Sequence, residues 1–170
     1  MEELVHKDSV RVGLSGSVFL LQYEQTATMA AAKMLDDVLV RRFDATPGGK
    51  WAIIVVIDAS HPPPDNDTRD AISKAMKNRG DRVSALAYVV LGSGFRAGAV
   101  RAALVTLNLL SQAAYPNKVF LKMNDAVDWI GATAPGVLKA FDVSRTKLEI
   151  EAFQNASHAP APKPGAAARV

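Results

Sequence analysis

The chain contains no cysteine. Thiol catalysis, cysteine-bound zinc, iron–sulfur clusters and disulfides are thereby excluded. Such a composition suits a reducing compartment without requiring one. Histidine is scarce: His6, His61 and His158 stand far apart and show no H-x-x-x-H ligand spacing. Long apolar runs are also missing. The longest, Ala52–Ile57 and Ala85–Leu91, fall far short of the ~20 residues that span a bilayer. The start, MEELVHKD, is charged and has no apolar core of the signal-peptide kind. Nor does one sign of charge dominate. The net charge is +3 and no Lys/Arg run exceeds Arg41-Arg42, so the electrostatic footprint of nucleic-acid binding is lacking. These absences lead us to expect a cytoplasmic protein without cofactor, metal, membrane span or nucleic-acid partner.

What is present reads as one α/β domain. A chain of 170 residues buries about two thirds of its unfolded surface and needs no covalent or metal staple. Val10, Val12 and Leu14 alternate with Arg11 and Gly13, Ser15-Gly16 offers a turn, and Val18–Tyr23 resumes an apolar run. That pattern predicts a β-hairpin. From Thr26 to Phe43 the period changes: Ala27, Ala31, Met34, Leu35, Val38 and Leu39 fall on one helical face. Arg41 and Arg42 complement the helix dipole at its end, before Pro47-Gly48-Gly49.

Trp51–Ile57 is a continuous, mostly β-branched run of the kind buried on both faces of a parallel sheet. The loop from His61 leads to a helix over about 68–79, with Asp65 or Asp67 as its cap. A strand at Val83–Leu91, a helix over about 96–113, a strand at Lys118–Met123 and a helix around 125–131 capped by Asn124 or Asp125 follow. Val137–Phe153 is expected to be helical. The order predicts three βαβ crossovers, hence a mostly parallel sheet of about five strands with an antiparallel edge strand. The domain is expected over 1–156. Residues 157–170, with Pro160, Pro162, Pro164 and a run of small residues, are expected to form a flexible tail.

The segment Val55-Val56-Ile57-Asp58-Ala59-Ser60 followed by Asp67-Thr68 resembles the STAS-like family, named after sulfate transporters and anti-sigma factor antagonists. There a strand ending in Asp-x-Ser precedes a loop and an Asp-Ser-Ser-Gly at the next helix start. Phe95-Arg96-Ala97-Gly98-Ala99-Val100-Arg101, Tyr115-Pro116 with Val119-Phe120, and Asp125-Ala126-Val127-Asp128-Trp129-Ile130 resemble its small bacterial members, a branch similar to CRAL-TRIO-like lipid-binding domains. The likeness spans about residues 9–132. It implies a STAS-like fold and a regulatory role, and it puts Thr68 where the family carries a regulatory phosphoserine. Here the chain departs from the pattern: Arg69-Asp70 stand where a glycine should follow, and a single Thr replaces the Ser pair.

Two groups of residues are candidates for function. Asp58, Ser60, Asp65, Asp67 and Thr68 lie on the carboxyl side of a parallel strand, the edge where open α/β sheets bind ligands. They suit a switch or a partner contact, because phosphate at Thr68 would meet a helix N-terminus. Plain helix capping accounts for the same residue types. Gly92-Ser93-Gly94, with Arg96 and Arg101, suits an anion or ligand contact, yet it lacks the full G-x-G-x-x-G and any following Gly-Lys-Ser/Thr. A permissive turn feeding a helix is the simpler account.

His61 with Asp58, Ser60 and Asp65 could form an acid–base cluster, although polar residues are ordinary in a surface loop. No nucleophile can be placed beside a base, so no enzymatic activity is expected. In the helix over 96–113, Val100, Ala103, Leu104, Leu107 and Leu110 form one stripe, and Ala102, Val105 and Leu109 a second. Apolar on nearly all sides, it must be covered more than once, by the C-terminal helix, a partner or an apolar ligand. Two functions follow. One is a STAS-like module that binds another protein, or a second copy of itself, in a regulatory role. The other is a carrier or sensor of a small apolar or amphipathic ligand held between the sheet and this helix.

Overall fold

A strand that the charged start concealed heads the chain: β1 (Glu2–Lys7) pairs antiparallel with β2 (Val10–Ser15). The architecture comes from a computed structural model that describes residues 1–7, 9–111, 114–138 and 142–157, with the side chains of 107–111 and 157 outside the description. β1 has no apolar alternation, and its outer residues are exposed. A short charged strand is a common way to end a sheet without inviting further pairing. β2 turns through Gly16, at φ 57°, into β3 (Val18–Tyr23), also antiparallel. This is the hairpin that the alternation predicts.

Three crossovers follow. Helix α1 (Met29–Asp44) leads to β4 (Trp51–Asp58), α2 (Asn66–Asn78) to β5 (Val83–Leu91), and α3 (Gly94–Ser111) to β6 (Asn117–Phe120). The pairs β3–β4, β4–β5 and β5–β6 are parallel, and the six-stranded sheet runs in simple sequence order. Two helices close the described chain, α4 (Met123–Thr133) and α5 (Asp142–Ser157).

Right-handed crossovers put α1, α2 and α3 on one face of the sheet. There Phe19, Leu21, Ile53 and Leu86 pack with Leu35, Leu39 and Phe43 of α1, and Val90 packs with Ala97 of α3. The opposite face, carrying Leu20, Ile54, Val56 and Val89, is covered by Ala126, Val127 and Ile130 of α4 and by Ile150 and Phe153 of α5. The β-branched run of β4 is thus buried on both sides, as its composition demands.

One buried cation ties α5 to the sheet. Arg11, 4% exposed, bonds the Glu3 carboxylate at 2.6 Å and donates to the Phe153 carbonyl at 2.9 Å. Its guanidinium also lies 3.9 Å from the Phe153 ring centre.

Several expectations shift. The sheet has six described strands, not five. Helix α1 begins at Met29, because Thr28 accepts the Ala31 N–H and closes the first turn there. Helix α2 starts two residues before the expected position, with Asp65 as its cap. Strand β6 stops at Phe120 and α4 opens at Met123, so Asn124 and Asp125 lie inside the helix and no side chain caps it. The last helix starts at Asp142 rather than Val137. It lies on the sheet face opposite α3, and Ala102 and Val105 of the second stripe are exposed. Residues 158–170, where a tail is expected, lie outside the described residues.

Candidate functional site

The carboxyl ends of β3, β4 and β5 bring the first group of candidates partly together. Asp58 closes β4, opposite Leu91 at the end of β5. Its Oδ1 accepts the Ser60 N–H at 2.7 Å. That backbone bond, then a contact with the Ser60 side chain and the nearby charges of His61 and Arg96, holds the Asp58 carboxyl below the usual carboxylate range. The carboxylate stays ionised because donors surround it.

Arg96, in the first turn of α3, therefore joins Asp58, Ser60 and His61 on one edge. This contact crosses the two candidate groups that the sequence separates. Nearby, the Thr26 hydroxyl donates to the Pro62 carbonyl at 3.0 Å, tying the loop after β3 to the proline loop.

Asp65 and Thr68 serve another purpose. The Asp65 carboxylate accepts the Thr68 N–H at 2.7 Å, and that bond lowers its own pKa. It is an N-cap of the usual kind. Thr68 sits in the first turn, fully buried, its hydroxyl enclosed beside the Asp65 carboxylate. A kinase cannot reach that oxygen unless the helix start opens. Asp67 is exposed in the same turn.

The glycine turn is a backbone device. Gly92 and Gly94 take φ of 99° and 77°, conformations that favour glycine, and so steer the chain from β5 into α3. Ser93 between them is exposed. Arg96 is exposed and near Asp58, whereas Arg101 is half-buried further along the helix, with its Nη1 enclosed and unpaired.

Over the part of α3 whose side chains are described, up to Thr106, the helix packs on the sheet. Ala97, Val100 and Leu104 close directly on Ala59, Val90 and Val119. What α3 leaves open is its outer face. Phe95 is 94% exposed and Val105 46%, and Ala99, Ala102, Ala103 and Thr106 are exposed with them. From Phe95 to Thr106 only Arg96 brings a charge to that face. The outward residues of α2, by contrast, are all polar or charged. Two more apolar side chains, Leu91 and Leu121, are exposed where β5 and β6 end.

Three further residues meet at the edge around Asp58 and could not be singled out from the sequence: Gln22, Glu24 and Leu91. Gln22 interrupts the apolar run of β3, and that interruption was the one available signal. Glu24 and Leu91 enter the edge only because the parallel register aligns the strand ends.

No protein-family model matches the chain, and no curated protein does. Among solved structures, an uncharacterized protein of the DUF3478 family with a SpoIIAA-like fold, from Shewanella loihica PV-4, superposes with a TM-score of 0.56. The identity is 14%, covering 76% of this chain and 98% of that one. The fold of this protein is therefore SpoIIAA-like, which is the STAS-like fold. Among the described residues, no helix is long and apolar enough to cross a membrane.

Proposed function

We propose that this protein is a non-catalytic, STAS-like interaction module of regulatory type, and that the outer face of α3, with Phe95 at its head, is the surface its protein partner covers. The carrying observation is Phe95, 94% exposed at the start of a helix whose outward face is nearly free of charge. A phenylalanine left in water forgoes roughly 2 kcal/mol of burial, and contiguous exposed apolar surface marks interaction sites. Aromatic anchors of this kind dominate interface energetics. Arg96 follows Phe95 and acts electrostatically on Asp58, and such charged groups supply the polar rim that gives a contact its register. The fold agrees with this reading, and so does the packing of Ala97, Val100 and Leu104 against the sheet.

The test compares proteins retained by the immobilised full chain with those retained by Phe95→Ser and, as a control on α5, Leu148→Ser (68% exposed). A partner is expected on wild type and Leu148→Ser and absent from Phe95→Ser. Equal retention on all three, and on a Phe95→Ser/Val105→Ser double variant, overturns the proposal.

A further inference from the structure

A cavity of about 270 Å³ opens on the carboxyl edge of the sheet, on the α4/α5 side, lined by Gln22, Tyr23, Glu24, Val56, Asp58, His61 and Leu91. Its polar groups are unevenly matched. Gln22 is 8% exposed, and its Oε1 is buried with no hydrogen-bond partner among the described residues. Leaving such an acceptor unpaired forfeits its hydration with nothing in return, and native structures rarely do so without a reason. Gln22 is itself one of the residues that line the cavity, and the terminal torsion of its amide is soft. Asp58 commits one carboxylate oxygen to the Ser60 N–H. Glu24 commits one to His6, at 3.0 Å. Besides the Gln22 amide, only the Tyr23 hydroxyl and the His61 imidazole can donate among the lining side chains.

Acceptors thus outnumber donors, and two of the acceptor groups are carboxylates. Val56 and Leu91 supply an apolar wall. Among the described residues no three His, Asp or Glu side chains are placed as metal ligands, which points away from a metal ion and toward an organic cation. We infer that this cavity binds an alkylammonium group, its three N–H donors shared among Gln22, Asp58 and Glu24 and its carbon stem laid on Val56 and Leu91. Arg96, which lies near Asp58 outside the lining, sets the limit on how much positive charge the site accepts and favours a single ammonium over a polycation. The same chemistry arrives either as a free small amine or as a lysine side chain of another protein. The site is separate from the α3 face and does not depend on it.

The test is an NMR titration of the full chain with n-butylammonium and with lysine blocked as Nα-acetyl-lysine N-methylamide. The readouts are the Gln22 side-chain amide and the backbone amides of Ser60 and Leu91. Saturable shifts with butylammonium are expected, weakened at least tenfold in Asp58→Asn and in Glu24→Gln; the second variant keeps the Ser60 turn bond should the first not fold. Blocked lysine binding as well as butylammonium identifies a protein side chain as the source, and binding of butylammonium alone identifies a free amine. Equal shifts with n-butanol, stronger binding of butyrate, or no saturable shift with either ammonium overturns the inference. Loss of the α3 partner in Phe95→Ser leaves these shifts unchanged, so the two proposals fail separately.

Discussion

Removing Arg11 tests whether α5 is held to the sheet by a buried cation. Three interactions end together in Arg11→Ala. The Phe153 carbonyl loses its 2.9 Å donor, which costs about 1–3 kcal/mol for a buried acceptor. The stacked contact with the Phe153 ring, at 3.9 Å, contributes about 1–2 kcal/mol when desolvated. The stem leaves a void between β2 and α5. Glu3 adds little to the loss, because it is 43% exposed and rehydrates. The sum, allowing for non-additivity among coupled contacts, is about 3 kcal/mol.

For a domain of this size each kcal/mol moves the melting temperature by about 2–4 °C, so a drop of roughly 6–12 °C is expected. Urea unfolding followed by circular dichroism gives the free energy, and hydrogen exchange should show α5 amides losing protection before those of β4. Glu3→Gln is the companion, expected to cost less than about 1 kcal/mol. A loss below about 1 kcal/mol in Arg11→Ala, or uniform exchange across α5 and β4, refutes the claim that this residue anchors the helix.

Two further outcomes are expected. The Glu149 carboxyl, bonded by the Ser15 hydroxyl at 2.6 Å and by Arg145 at 2.8 Å, has its pKa lowered to about 2. Its folded value lies below its unfolded one, so its stabilisation is fully present above about pH 4.5 and declines as pH falls toward 2. Urea midpoints of wild type and Glu149→Gln should therefore converge on acidification; a constant gap refutes the assignment. In Gly131→Ala the usual helical gain of up to ~1 kcal/mol is opposed by a new Cβ only 2.8 Å from Val143 Cγ2. Overpacking costs about 1–3 kcal/mol and valine cannot swing away easily. Net destabilisation near 1 kcal/mol is expected, reversed to a gain when Val143→Ala is added.

Much of the fold could be read from periodicity alone. The period-2 hairpin of β2 and β3, the period-3.6 face of α1 and the continuous run of β4 follow from which residues must avoid water. Strand β1 could not be read that way. Its residues gain order from pairing with β2, and edge strands carry little apolar signal. Helix starts were misplaced by a few residues wherever several capping residues compete, as Asp65 and Asp67 do. The candidate site was half legible. Asp58 and Ser60 announced themselves through a familiar strand ending, whereas Gln22 and Glu24 belong to a distant segment.

By itself, the order of apolar and polar residues determined that this protein is a parallel α/β sheet with a hairpin at one side, because burial patterns are local and repeat along each element. The tertiary structure decided what lies next to what. It carried α5 to the face opposite α3, leaving Phe95 and Val105 bare, and it enclosed Thr68 behind its own cap. It also set Gln22, Asp58 and Leu91 around one cavity. Those relations depend on strand register and on which side of the sheet each helix crosses, properties of the assembled sheet that no single segment contains.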